Sequence, residues 1–258
     1  MKSTLVLFAS LIALSAATSG AQTAATCRTL APDAQDALTA SPENHTVLYE
    51  NADVRVLDVH SQPHTREAVH THSMPSVMYV DRQGAGTYNT PDGSGNKSHP
   101  TDPNFKFRIF AIPSEGQHWT ENTGEVPFHA VRVEFKHPGC GLPGWRPASP
   151  GPDDALVAAP ANYTLLLENQ NVRVLDLHLA PHATTSFHTN PWPGFFYVIQ
   201  GVSMRDETKA GSQPEPRNLP TGVKILPAKA GGHTIENTSD TPLHLIRYEL
   251  KFSSPPTP

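Results

Sequence analysis

The chain has 258 residues, a formal net charge of −5 and only two cysteines. That length allows one large domain or two small ones. Its acidic balance and the lack of a basic patch argue against nucleic-acid binding. Neither cysteine has a second one at ligand spacing, so a cysteine zinc site is not expected.

The chain begins with the pattern of a secretory signal peptide. Lys2 is followed by the apolar run LVLFASLIALSAA, and small residues precede an expected cleavage site between Ala21 and Gln22. The run is too short to span a membrane, and no later segment is long and apolar enough to do so. We therefore expect residues 1–21 to be a signal peptide and the mature protein to be secreted or periplasmic, without a membrane span.

The segment 44–80 recurs at 162–198 without a gap. NHTVLYENADVRVLDVHSQPHTREAVHTHSMPSVMYV aligns with NYTLLLENQNVRVLDLHLAPHATTSFHTNPWPGFFYV, and a second match aligns GQHWTENTGEVPFHAVRVEFK with GGHTIENTSDTPLHLIRYELK. Two self-similar units, rather than three or more, predict tandem domains and not a solenoid.

Each unit contains short runs rich in Val, Ile, Leu, Phe and Tyr, such as TVLYE, VRVLDVH, VMYV, FRIFAI and HAVRVEFK. Turn residues separate these runs, and no helix-length periodicity is present, so the pattern predicts an all-β fold of antiparallel sandwiches or barrels. The polar segment 88–105 is predicted to cross the barrel mouth, either as a mobile surface loop or as a lining of a site.

The domain organisation follows from the repeat. We expect an N-terminal arm at 22–43, a first domain at 44–137, a Pro/Gly-rich linker at 138–161, a second domain at 162–252 and a disordered tail at 253–258. Cys27 lies in the arm and Cys140 in the linker, and we predict that they form a disulfide in an exporting compartment. The alternative is two free thiols.

The alternation of the strand 129–136 assigns side chains to its two faces. Its odd-numbered residues are apolar apart from His129, and its even-numbered residues include Arg132 and Glu134. If the apolar face is the inner one, His129 points inward as a candidate catalytic acid/base or additional metal ligand. Arg132 and Glu134 would then form ion pairs on the outer face.

Three histidines of the first unit are candidate metal ligands. His70 and His72 alternate on one strand and project to the same face, and a later strand can bring His118 alongside them. Three neutral imidazoles that converge on one point bind a divalent cation and leave positions open for other ligands.

The second unit lacks one of these candidates. Asn190 occupies the position of His72, while His188 and His233 remain. Two imidazoles and one amide make a poor divalent site, so we expect a degenerate site in the second unit.

These residues lie in segments that resemble the two motifs of the cupin superfamily. The segments are HTNPWPGFFYVIQG, and PSEGQHWTEN with its counterpart PAKAGGHTIEN, and the resemblance extends over nearly all of the chain after the leader. It implies a bicupin, with two tandem cupin-type jelly-roll β-barrels. It also implies His70, His72 and His118 as ligands of a divalent metal ion, Fe, Mn or Zn.

The chain departs from the cupin pattern at one ligand. Ser76 stands where the family usually has a glutamate, and the nearest acidic residues are Glu67 and Asp81. This departure weakens the similarity to oxalate oxidase and oxalate decarboxylase and favours three-histidine dioxygenases.

The expected activity is therefore that of a metal-dependent, dioxygenase-type oxidoreductase acting on a small acidic or dicarbonyl substrate, with His129 as a proton carrier. The alternatives are a non-catalytic cupin module that binds a sugar or another small molecule and keeps relic histidines, or a cupin isomerase. The expected partner is a small-molecule ligand. The sequence leaves open whether the protein is a monomer or a homo-oligomer.

Overall fold

The structure is a computed structural model that describes residues 29–138, 150–208, 214–219, 225–228 and 230–251. The predicted signal peptide, both cysteines of the predicted disulfide and the predicted tail at 253–258 lie outside the described residues. Within the described ranges, no helix is long and apolar enough to cross a membrane.

The first half folds into two antiparallel sheets. Its elements are α1 (Ala37–Ala40), β1 (His45–Glu50), β2 (Val54–Ser61), β3 (His70–His72), β4 (Ser76–Arg82), β5 (Gly86–Asn89), β6 (Lys97–His99), β7 (Arg108–Ile112), β8 (Glu115–Asn122) and β9 (Phe128–Phe135). One sheet has the strand order β1-β2-β9-β4-β7, and the other has the order β3-β8-β5-β6.

The second half repeats this arrangement. Its elements are α2 (Ala155–Ala158), β10 (Tyr163–Glu168), β11 (Val172–Leu179), β12 (His188–Asn190), β13 (Gly194–Gln200), β14 (Ser203–Glu207), β15 (Arg217–Asn218), β16 (Ile225–Ala228), β17 (Gly231–Asn237) and β18 (Leu243–Leu250). The two sheets have the orders β10-β11-β18-β13-β16 and β12-β17-β14-β15. The predicted all-β fold of two tandem jelly rolls is confirmed, and we call the halves the first and second barrels.

The segments that precede β1 and β10 belong to the barrels. Asp36 caps α1 by accepting a hydrogen bond from the backbone N–H of Leu38, and it also accepts two from the buried guanidinium of Arg55, at 3.0 and 2.7 Å. Asp154 likewise caps α2, through the backbone N–H of Leu156, and accepts one hydrogen bond from Arg173, at 2.7 Å. Each short helix is thus held by a buried ion pair, which requires good geometry to offset its desolvation.

The apolar faces of the two five-stranded sheets pack against each other and form the core between the barrels. Tyr79 of the first barrel lies 6.0 Å from Tyr197 of the second, between ring centroids. The shared core consists of Val54, Val56, Val77, Tyr79, Val131, Val133, Phe135, Val172, Val174, Phe195, Tyr197, Ile246, Tyr248 and Leu250.

This packing corrects the sequence-based assignment of faces. The odd-numbered residues of β9 face the second barrel, and the even-numbered residues face the interior of their own barrel. Arg132 and Glu134 are therefore buried, with 2% and 0% of their surface exposed, and the prediction of outer-face ion pairs is wrong. Alternation along a strand separates two faces but does not say which of them a neighbouring domain covers.

The core between the barrels predicts a large loss of stability on truncation. Phe195 is 1% exposed and stacks on Tyr248 at 4.9 Å, so Phe195→Ala should lower the free energy of unfolding by about 3–5 kcal/mol. Urea denaturation measures this loss. The matched control is Phe187→Ala, since Phe187 is 55% exposed and its loss should be within about 0.5 kcal/mol. Equal losses for the two variants would contradict the packing.

Candidate metal centre

Four buried histidines meet in the first barrel. His45 begins β1, His70 and His72 form the ends of β3, and His118 lies on β8 directly opposite His70. The ring centroid of His70 lies 4.7 Å from His45, 5.1 Å from His72 and 4.4 Å from His118. The structure therefore brings together the three histidines named from the sequence and adds His45 to them.

The hydrogen bonds of these rings leave the same nitrogen of each free. The four Nδ1 atoms lie 2.7–3.1 Å from an oxygen acceptor, in the order of the chain Ser41 O, Ala68 O, Glu134 Oε1 and Gly116 O. A ring that donates from Nδ1 keeps its lone pair on Nε2, which is how metal-binding histidines are usually oriented. The ligand atoms of His45, His70 and His72 all lie within 4.8 Å of one another.

Burial keeps these imidazoles neutral. It lowers the pKa of His45 to about 3 and the pKa of His70 to about 4. Burial also lowers the pKa of His72, with a contribution from the positive charge of Arg132, and that of His118. At neutral pH all four rings thus carry the lone pair that a metal ion needs, and the donor set fits a divalent transition metal.

A cavity of about 710 Å³ opens beside the histidines. This volume is within the range of about 300–1,000 Å³ that is usual for small-molecule sites. Apolar side chains such as Met78 and Phe128 line part of it, and Thr90 and Lys97 contribute from the segment 88–105. Of the two alternatives given above for this segment, the structure supports the lining of a site.

Two charged side chains share the cavity with the histidines. Glu67 is 4% exposed, its Oε2 lies 4.0 Å from Nε2 of His70, and burial raises its pKa to about 7. Arg132 donates from Nη1 to Glu115 at 2.8 Å, while its buried Nη2 has no hydrogen-bond partner among the described residues. The site therefore combines a carboxyl group that titrates near neutrality with a cation.

His129 lies away from this cavity. Its ring is hydrogen bonded at both nitrogens, from Nδ1 to Asp81 at 2.6 Å and from Nε2 to Asp58 at 2.7 Å. These two carboxylates raise its pKa to about 9. The predicted inward orientation of His129 is wrong because β9 turns this face toward the second barrel, so the geometry gives no support to its predicted catalytic role.

The corresponding side chains of the second barrel form hydrogen bonds with one another. Tyr163 replaces His45, and its hydroxyl is 3.0 Å from Nε2 of His188. Nε2 of His233 donates to Oδ1 of Asn190 at 2.8 Å. The nitrogens that are free in the first barrel are thus occupied in the second, which supports the expectation of a degenerate site there.

Larger apolar side chains also fill the interior of the second barrel. Leu179, Met204 and Ile235 belong to its buried core, at the positions occupied in the first barrel by Ser61, Gly86 and Thr120. These three smaller residues of the first barrel line its cavity. The two copies therefore differ in interior volume as well as in metal donors.

Sequence reasoning missed His45 as part of the site. The signal was present, because the aligned residue in the second copy is Tyr163, a difference of the same kind as His72 against Asn190. From the sequence, Glu67 was identified only as an acidic residue near the missing ligand position and Arg132 only as a member of an ion pair. The structure was needed to show that both line the cavity.

The exchange of His45 for its counterpart is a direct test of the donor set. In His45→Tyr the new hydroxyl should hydrogen bond to Nε2 of His70, as the hydroxyl of Tyr163 does to Nε2 of His188 in the second barrel. With that nitrogen no longer free, the affinity of the first barrel for Zn²⁺ should fall at least about tenfold. Competition with a chromophoric chelator measures it. The matched control is Val47→Leu, which also installs the second-barrel residue but at an exposed position, and should leave the affinity unchanged.

The paired jelly rolls and the histidines on β3 and β8 together give the chain a fold of the bicupin type. The oxalate decarboxylase of Bacillus subtilis, a protein with Mn(II) centres, matches over 83% of this chain and 77% of its own, with 14% identity and a TM-score of 0.50. An oxalate decarboxylase in which a structural element modulates proton-coupled electron transfer matches over 80% of this chain and 71% of its own, with 13% identity and a TM-score of 0.51.

A cupin domain from Bordetella pertussis Tohama I is 25% identical over 36% of this chain and 91% of its own, with a TM-score of 0.31. No protein-family model matches the sequence. No curated protein matches it either. The similarities to the two oxalate decarboxylases show the bicupin fold of the chain.

Proposed function

We propose that the first barrel binds one divalent transition metal ion and uses it as a dioxygenase-type oxidoreductase on a small acidic or dicarbonyl substrate. His45, His70 and His72 would hold the ion, with His118 beside them. The observation that carries this proposal is the set of four neutral imidazoles, each oriented through Nδ1 and each with Nε2 free next to a cavity.

The metal proposed is Fe(II), Mn(II) or Zn(II). Imidazole nitrogens suit iron and zinc, whereas manganese more often takes carboxylate oxygens, so a donor set made of imidazoles favours iron and zinc. The Mn(II) centres of the structurally similar Bacillus subtilis oxalate decarboxylase support a divalent ion in a fold of this kind.

The chain's own residues would prepare the substrate for reaction. A bound divalent ion supplies a Lewis acid that polarises a substrate oxygen. The guanidinium of Arg132 attracts an anionic substrate into the cavity, and a carboxylate oxygen of Glu67 accepts a proton from it. Tyr88 stacks on His118 at 5.0 Å and fixes the orientation of that ring.

Oxygen uptake tests the proposed reaction class. Protein loaded with Fe(II) should consume oxygen with at least one member of a panel of diketones and hydroxylated aromatic acids, and His70→Ala should reduce the uptake to background. His182→Ala is the control, because His182 lies at a turn with its side chain 64% exposed. If iron is bound and no member of the panel gives uptake, the oxidoreductase proposal fails.

A second candidate function is a non-catalytic cupin that binds a small molecule or a sugar. The apolar part of the cavity, with Met78, Phe110 and Phe128, favours it, because such surfaces bind ligands without chemistry. An isomerase is the remaining enzymatic alternative. Saturable binding of a ligand that is recovered unchanged would support the binding module, and recovery of an isomer would support the isomerase.

We also propose export of the protein, on the strength of the N-terminal pattern alone. Expression of the full chain in a bacterial host should yield mature protein in the periplasm or medium that begins at Gln22. N-terminal sequencing measures this. Cytoplasmic protein that retains Met1 would contradict the proposal.

A further inference from the structure

A second group of potential metal ligands lies on the second barrel, outside the cavity described above. β11 carries Asp176 and His178 two residues apart, and β18 carries His244 directly opposite His178. Residues two apart on a strand share a face, and so do residues directly opposite on neighbouring strands. The three side chains therefore project together from one surface.

The two imidazoles point the same nitrogen at one carboxylate. Nε2 of His244 lies 2.6 Å from Oδ1 of Asp176, and Nε2 of His178 lies 3.1 Å from Oδ2. The two rings stack with centroids 3.9 Å apart, and one ligand atom from each of the three residues lies within 4.8 Å of the other two. Two nitrogens and one carboxylate oxygen are already gathered around one point.

Burial and exposure favour entry of an ion from solvent. Asp176 is 8% exposed, and its carboxylate is held by the two imidazoles, whereas the side chain of His178 is 60% exposed. A cation could reach the group from the His178 side, and each imidazole would bind it through Nε2 as the neutral tautomer that carries its proton on Nδ1. Open coordination positions would be filled by water.

The first barrel has the same three residue types at the matching positions, but there an additional carboxylate binds one of the histidines. Asp58, His60 and His129 correspond to the group, but Asp81 adds a second carboxylate that binds Nδ1 of His129 at 2.6 Å. This second partner holds His129 as an imidazolium, with its pKa raised to about 9, and an imidazolium cannot ligate a metal. Ile199 stands at the position of Asp81 in the second barrel, so His244 lacks this additional carboxylate.

We propose that Asp176, His178 and His244 form a second divalent metal site, of the class that binds Zn²⁺ through two imidazoles and a carboxylate. It is separate from the first-barrel centre and lies on the five-stranded sheet that packs against the first barrel. An ion there would link β11 to β18 beside the core between the barrels.

Zn²⁺ titration of the full chain tests the site. With a competing chromophoric chelator, the wild type should bind two equivalents of Zn²⁺. His178→Ala should weaken one of the two at least about tenfold. His60→Ala, the same change at the matched position of the first barrel, should leave both equivalents unchanged. His178 is exposed, so its replacement is not expected to affect folding.

Replacement of the carboxylate ligand provides an independent test of the same site. Asp176→Asn should weaken the same equivalent as His178→Ala. If both variants bind Zn²⁺ with the stoichiometry and affinity of the wild type, the site does not exist. His70→Ala should remove the other equivalent, so a loss caused by His70→Ala alone contradicts this proposal, whereas a loss caused by His178→Ala alone contradicts the first-barrel centre.

Discussion

When the pH falls from 6.5 to 4.5, the metal-stripped wild type is expected to lose more unfolding free energy than the double variant His45→Gln/His70→Gln. The difference between the two losses should be about 4 kcal/mol. The cause is the burial of neutral imidazoles. In the unfolded chain these two histidines take up protons near pH 6.5, whereas in the folded chain burial lowers their pKa to about 3 for His45 and about 4 for His70.

The sign follows from proton uptake. Below pH 6.5 the unfolded state binds protons that the folded state excludes, so each histidine lowers stability by about 1.4 kcal/mol per pH unit until its folded pKa is reached. Glu67 acts in the opposite direction, because burial raises its folded pKa to about 7. The comparison with the double variant cancels Glu67 and leaves only the histidine contribution.

Urea denaturation at several pH values measures this difference. Parallel pH profiles for the wild type and the double variant would show that the histidines are protonated or accessible to water in the folded protein. Buried, neutral imidazoles would then not be available to a metal ion. A double variant with His64→Gln and His182→Gln serves as the control, since both side chains are at least 60% exposed and should give profiles parallel to the wild type.

Glu67→Gln is expected to lower the rate of substrate-dependent oxygen uptake by about 10²–10⁴-fold, the usual contribution of a general base. Glu67 is a buried carboxyl group that lines the cavity, with Oε2 at 4.0 Å from Nε2 of His70. Because only the ionised form accepts a proton, the rate should rise as the pH increases through the pKa of about 7 and then level off.

The variant should also lose this pH dependence while still binding metal. That combination separates a proton acceptor from a residue that merely supports the fold. Glu125→Gln is the control, because the side chain of Glu125 is 87% exposed and pairs only with His64 among the described contacts. A Glu67→Gln protein with the rate and pH profile of the wild type would exclude Glu67 as the base.

The sequence was sufficient to predict the tandem fold. The gapless repeat and the short alternating strands correspond to two copies of the same pair of sheets, and the His-x-His pair lies on β3 as expected. These features are local, because strand periodicity and internal repetition do not depend on tertiary context.

The orientation of β9 could not be read from its alternation. The interior of the first barrel is polar at Arg132 and Glu134, while the face toward the second barrel is apolar, so the usual association of apolar with inner fails here. The same assignment of faces turned His129 inward. In a two-barrel chain the second apolar face is buried by the partner barrel, and only the tertiary structure shows this.

His45 escaped prediction for a related reason. It begins a strand that is far from the His-x-His pair in the sequence, and only the tertiary structure brings its ring centroid to 4.7 Å from that of His70. The segment 22–43 was predicted only as an N-terminal arm that precedes the first domain. In the structure its Asp36 forms a buried ion pair with Arg55.

The metal content of the first barrel tests the central claim most directly. Protein purified without chelators, and reloaded with Fe(II) or Zn²⁺, should contain one equivalent of metal more than the double variant His70→Ala/His72→Ala measured by elemental analysis in the same way. Equal metal content in the two proteins would contradict a metal centre built on these histidines.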